Sequence, residues 1–239
     1  MYRYVVITIT LIALLVTSGC WYGTFMAPRA TGTGKIRLRA IGNFPAYVNS
    51  HDRDKDNTGQ GDDELTPGFG DGYAKAMITY GAGPRFDIGI QGHMYSAGIH
   101  AKWWAAMRPE GSHRGMDFSP ILFLDYIFET QRIAPKLSLV GGIPVSRISQ
   151  AYIGYEFFYG PDMTLIDDLY NDRLPKEKFR ELGGEHYQDN IFLGFDFNYK
   201  DIGLTAEIGY PLKRNDIDRS STIWFGIGLY YGALLEGML

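Results

Sequence analysis

The stretch Asn190-Ile191-Phe192-Leu193-Gly194-Phe195-Asp196-Phe197-Asn198 decides the fold. Ile191, Leu193, Phe195 and Phe197 fall on one side of a period of two. Asn190, Phe192, Gly194, Asp196 and Asn198 fall on the other. Side chains of a strand alternate between its two faces. A helix would scatter the same apolar residues around its circumference. The stretch therefore reads as a strand with one continuous, bulky apolar face.

Read outward from there, the pattern recurs along the chain. Residues 35–40 place Ile36, Leu38 and Ala40 against Lys35, Arg37 and Arg39. Further strands are expected at 73–80, 85–95, 99–108, 117–128, 136–146, 150–159, 202–212 and 221–231. In the third of the series Phe86, Ile88 and Ile90 oppose Asp87, Gly89 and Gln91. In the seventh, Ala151, Ile153, Tyr155 and Phe157 oppose Gln150, Gly154 and Glu156. The last sets Ile223, Phe225, Ile227 and Leu229 against Thr222, Trp224, Gly226 and Gly228. Turn signals punctuate the series at 81–84, at Ser96-Ala97-Gly98 and at Lys200-Asp201. The fold class expected is all-β, a closed antiparallel up-and-down β-barrel of about ten strands. Strands of roughly 9–12 residues are long enough to cross a bilayer when tilted. An even strand number brings both barrel ends to one side. The long connections, about 43–71 and 160–188, then share the opposite side, while 81–84, 147–149 and 200–201 are short. Long outer loops and short periplasmic turns are the usual asymmetry of membrane barrels.

Composition agrees. Of 239 residues 45% are hydrophobic, 15% aromatic and 21% charged, with 30 glycines, which is neither a disordered chain nor a bundle of membrane helices. Net charge is −4 and no basic run or nucleic-acid motif is present, so no nucleic acid partner is expected. No cofactor motif is found either. Cys20 is the one cysteine, which excludes an internal disulfide.

The position of Cys20 is informative. After Arg3 comes an apolar run from residue 5 to 16, too short for a membrane helix and of the length of a signal-peptide core. Thr17-Ser18-Gly19-Cys20 follows. This resembles the lipobox of bacterial lipoproteins, with Ser18, Gly19 and Cys20 in pattern and Thr17 where leucine is commonest. The resemblance implies cleavage before Cys20, lipidation of its thiol and, with Trp21 rather than aspartate next, sorting to the outer membrane. Residues 1–19 are then a signal peptide, 20–33 a lipidated tether, 34–231 the barrel and 232–239 a tail. An anchor in the inner leaflet would suit a periplasmic start of the barrel.

Alternation alone does not say which face points outward, since a soluble barrel buries its apolar side. The bulky apolar face, the small residues opposite it, and tyrosines near strand ends (Tyr73, Tyr80, Tyr95, Tyr159, Tyr199, Tyr210, Tyr230, Tyr231) favour a membrane barrel with an interfacial girdle. Over about residues 35–231 the chain resembles small bacterial outer-membrane barrels. It departs from them in continuing past the last expected strand rather than ending on an aromatic residue.

With that orientation the lumen receives Lys35, Arg37, Arg39, Lys75, Asp87, His100, Lys102, Asp125, Glu156, Asp196 and Glu207. Unpaired charges in a narrow interior are costly. They are expected to meet across it as a salt-bridge network that closes the barrel; the rival expectation is a narrow pore for small polar solutes. Three weaker patterns remain. Asp52, Asp54 and Asp56 could supply oxygen ligands to calcium, though Asn57 stands where an EF-hand needs glycine. Residues 175–182 could form a short helix capping the mouth. His93 with Ser96, or His186 with Asp162 and Asp189, could serve a rim-located protease or lipid hydrolase, since the strand number is similar to that of omptin-type proteases; no spacing is distinctive. The leading expectation is a non-enzymatic outer-membrane barrel lipoprotein with a structural, adhesion or assembly role. Its partners would be outer-membrane lipid and an extracellular or envelope molecule met by the loops. A soluble periplasmic ligand-binding barrel is a further alternative.

Overall fold

The computed structural model describes residues 23–47, 68–69, 73–107, 115–128, 130–161, 185–212 and 222–234. Among these there is no helix. Twelve strands form one antiparallel sheet: β1 (Lys35–Tyr47), β2 (Gly68–Phe69), β3 (Tyr73–Gly83), β4 (Phe86–His93), β5 (Ser96–Trp103), β6 (Ala105–Met107), β7 (Met116–Ile127), β8 (Arg132–Pro144), β9 (Ser149–Pro161), β10 (Glu185–Tyr199), β11 (Ile202–Pro211) and β12 (Thr222–Leu234). The short β2 lies beside the end of β1, and β6 carries the β5–β7 pairing past Trp104. The other ten follow one another around the wall. β12 closes on β1 from Lys35↔Leu234 to Tyr47↔Thr222, so no full-length edge is left open.

Two mouths result. The start of β1, the end of β12 and the connections at 84–85, 104–115, 145–148 and 200–201 share one of them, the chain-end mouth. The connections at 48–72, 162–184 and 212–221, and the hairpins at 94–95 and 128–131, share the loop mouth. The hairpin expected at Ser96-Ala97-Gly98 turns two residues earlier, at Met94-Tyr95, because Ser96 already pairs with His93. Strand β12 reaches Leu234, so Gly232 belongs to the wall rather than to a tail.

The wall has the polarity of a membrane barrel. Ile153, Tyr155 and Phe157 of β9 and Ile191, Leu193, Phe195 and Phe197 of β10 are exposed on the outside, and every long strand adds to this belt. A soluble barrel buries such residues. The tyrosines divide: Tyr80, Tyr159, Tyr199 and Tyr210 face outward, while Tyr95 and Tyr230 are buried, so the girdle is thinner than the sequence suggests.

Glycine and aromatic residues fill the inside together. Phe192 is paired across strands with Gly154, Tyr152 with Gly194, Tyr230 with Gly203, and Trp224 with Gly209. A side-chain carbon on any of these glycines would fall within the partner's ring. Each ring thus lies over the bare backbone of its neighbour, a cross-strand device that fills a lumen without widening it.

Candidate functional site

The lumen holds a segment of the chain itself. Residues 23–34, most of which fall in the segment 20–33 expected as a lipidated tether, run through its interior ahead of β1. Residues 23–28 are buried. Gly23, at φ +87°, sits against Glu207 and Trp224, the latter near the loop end of β12. Phe25 packs its ring on Trp224 with centroids 6.0 Å apart and fills the space left by Gly226. Its own φ of 49° is left-handed, a conformation that costs an ordinary residue about 1–2 kcal/mol. Burial of the ring, roughly 1.5–3 kcal/mol, offsets this.

The polar groups of the arm are tied to the wall one after another. The Thr24 hydroxyl donates to Glu207 at 3.1 Å. The Arg39 guanidinium donates to the Phe25 carbonyl. Ser119 donates to the Pro28 carbonyl at 2.6 Å, and the Lys102 ammonium to the Arg29 carbonyl at 2.7 Å. Arg29 meets Asp117 at 3.3 Å. The Thr31 N–H donates to both oxygens of Asp87, at 3.0 and 2.9 Å, and its hydroxyl adds a third bond at 3.1 Å. Finally the Gly34 N–H donates to the Gly81 carbonyl at 2.9 Å at the chain-end mouth. These partners fix a direction. Glu207 is midway along β11 and Trp224 is near the loop mouth, whereas Asp117, Asp87 and Gly81 are near the chain-end mouth. The arm descends from the loop side to the chain-end side and then reverses into β1.

The residues singled out as luminal all lie on inward positions, and their short hydrogen bonds and ion pairs run mostly to neighbouring strands. Lys102 pairs with Asp87 at 3.0 Å, on adjacent strands, with side chains 2% and 0% exposed. Glu156 pairs with Lys136 at 3.2 Å, again a neighbour, and accepts from the Ser138 hydroxyl. Asp125 accepts from the Gln91 amide. Asp196 accepts from Thr205 at 2.7 Å and Tyr230 at 3.0 Å, and Glu207 from Tyr152 at 2.8 Å. His100 bonds Thr79 at 3.1 Å. Lys75 lies over the Phe123 ring, and Arg37 and Arg39 flank the Tyr230 ring at 4.7 and 4.9 Å. Lys35 stands exposed at the rim. Besides these neighbour contacts, Lys75 of β3 interacts electrostatically with Glu156 of β9 and Glu207 of β11, and Arg39 of β1 with Asp196 of β10.

Sequence reading missed Arg29, Asp117, Lys136, Tyr152 and Tyr230 as members of this network. Asp117 carries the same two-residue parity as Asp125 on β7 and was recoverable from it, while β8, which carries Lys136, held no chosen charge to set its parity. Arg29 was not, because the arm has no periodicity to read.

The other candidates fare differently. Cys20, Asp52, Asp54, Asp56, Asp162 and residues 175–182 lie outside the described residues. His186 pairs with Gly160 in register, and its side chain is not described. The backbone N–H of Tyr95 donates to His93 Nδ1 at 3.2 Å and the two rings meet at a 55° tilt with centroids 5.6 Å apart, which holds His93 to its own hairpin. Ser96 opposite is buried. Among the described residues no group of three or more His, Cys, Asp or Glu could hold a metal ion.

No protein-family model matches the chain, and no curated protein does. Among solved structures it is similar to outer-membrane β-barrels. The N-terminal β-barrel domain of OprF from Pseudomonas aeruginosa is 7% identical, over 84% of this chain and 99% of that one, with a TM-score of 0.35. OprG from the same organism is 12% identical over 85% and 99%, with a TM-score of 0.32. Ail, the attachment invasion locus protein of Yersinia pestis, is 14% identical over 84% and 99%, with a TM-score of 0.27. Likenesses this distant carry no activity or partner across; the closed barrel and its outward apolar belt rest on this structure itself.

Proposed function

We propose that this chain is a self-plugged outer-membrane barrel lipoprotein that acts by what it presents at its loop mouth, not by what passes through it. The single observation behind this reading is the arm of residues 23–34 held inside the lumen. It occupies the path a solute would take, and its hydrogen bonds run from Glu207 to Gly81. The exposed apolar belt supports residence in a membrane. The mouth with both barrel ends and the tight turns at 145–148 and 200–201 faces the periplasm, in line with the usual asymmetry; the connection 104–115 is the longer exception.

The direction of the arm bears on lipidation. Cys20 is three residue steps from Gly23, a reach of about 10 Å. With Gly23 beside Trp224, a lipid on Cys20 belongs to the outer half of the barrel. An anchor in the inner leaflet and an arm in the lumen exclude one another. The reading is therefore a lipoprotein whose amino end is displayed outward with the long loops, in an adhesion or assembly role. The test is an epitope inserted between Cys20 and Trp21. It should be labelled by antibody on intact cells, along with an epitope in the 48–72 connection. Labelling of the amino-terminal epitope only after the outer membrane is permeabilised would overturn the reading.

A further inference from the structure

The arm does not fill the chain-end mouth evenly. There it leans on the β4, β5 and β7 side, where Asp87, Lys102, Asp117 and Ser119 hold it. Opposite, between the arm and the wall of β9, β10, β12 and β1, a blind vestibule of about 390 Å³ remains. Five basic side chains and two acidic ones line it. Some of these charges are already engaged. Arg29 meets Asp117, the Lys200 ammonium stands 5.5 Å over the Tyr199 ring, and Asp196 already accepts two hydroxyl bonds. Lys35 and Arg147 stand in the lining beside Asp201, and Arg37 lies there over the Tyr230 ring at 4.7 Å.

Unmet polar atoms sit on the same wall. The Arg37 Nε–H has no partner, and neither have the amide oxygens of Gln150 and Asn198. Gln150 is 3% exposed and spends its amide nitrogen on Asp117 at 2.8 Å. Buried polar groups are normally satisfied; these three atoms are covered as the side chains stand, on residues lining one cavity, and a ligand would reach them only as the side chains turn toward it. The guanidinium forks of Arg37 and Arg147 match the oxygens of a phosphate, and the excess of positive charge suits an anionic phosphate, monoester or diester. The amide oxygens, after a rotation of their side chains, would accept from hydroxyl groups.

We infer that the chain-end vestibule binds a phosphorylated polyol, with Arg37, Arg147 and Lys35 on the phosphate and Gln150 and Asn198 on the hydroxyls. The glycerol phosphate group fits this description, free or as the headgroup of phosphatidylglycerol. The site is independent of whether the loop mouth presents anything.

The experiment uses the full chain in nanodiscs of phosphatidylcholine, titrated calorimetrically with glycerol 3-phosphate, and in parallel the chain in nanodiscs containing phosphatidylglycerol, with bound lipid counted by native mass spectrometry. Saturable binding of glycerol 3-phosphate identifies a soluble ligand; retention of phosphatidylglycerol alone identifies the lipid. In either case Arg147→Gln, in an exposed turn, and Arg37→Gln should each weaken binding tenfold or more. Arg132→Gln at the loop mouth should leave it unchanged. Folding of each variant is checked by heat-modifiable gel mobility, and Arg147→Gln decides the matter if Arg37→Gln does not fold. Absence of binding in both arms, or binding indifferent to Arg147→Gln, would overturn the assignment.

Discussion

At the level of single residues, the two faces of each strand are under opposite demands. Phe195 is exposed on the apolar belt, whereas Asn198, three residues on in β10, lines the vestibule. An arginine on the lipid face near the bilayer midplane costs roughly 2–4 kcal/mol, and one in a wet mouth costs little. Phe195→Arg should therefore cut folding yield into bilayers sharply and Asn198→Arg should not, read by heat-modifiable gel mobility. Equal tolerance would remove the membrane reading of the belt. This contrast was legible from alternation at 190–198. The pairing of each luminal aromatic residue with a particular glycine was not. Phe192 and Trp224 break the apolar-polar alternation of their strands, but the register that sets them over Gly154 and Gly209 appears only when strands are paired.

Elements are held by charge where the arm meets the wall. Asp87 serves both, taking the Lys102 ammonium from β5 and three bonds from Thr31 of the arm. Removing one partner of a buried pair leaves the other uncompensated, which typically costs about 3–5 kcal/mol. Asp87→Asn and Lys102→Met should each destabilise the barrel in urea by an amount of that order. The double variant should cost clearly less than the sum, because the two share one interaction. Strict additivity would mean that the pair is not coupled in the membrane-inserted protein. The periodicity of 35–40 and 99–102 disclosed that Arg39, His100 and Lys102 face inward. It could not disclose what they face. An arm without periodicity, bonded largely through backbone groups such as the carbonyls of Phe25, Pro28 and Arg29, gives sequence reading nothing to register. The lumen was pictured without the chain that fills it, so the share of these charges that the arm takes did not follow.

Taken whole, the molecule combines a closed antiparallel wall with a core made of its own amino-terminal segment. Strand number, closure and the distribution of long and short connections followed from pattern, because a period of two repeated over most of the chain leaves few folds open. Where the chain ahead of β1 goes did not follow, and it decides between a pore and a plug. If the arm fills the lumen, the intact protein should show no steady single-channel currents in a planar bilayer, while a variant lacking residues 23–31 and retaining the barrel's heat-modifiable mobility should open stable conductance steps. Steady currents from the intact protein, indistinguishable from those of the arm-deleted barrel, would contradict the account.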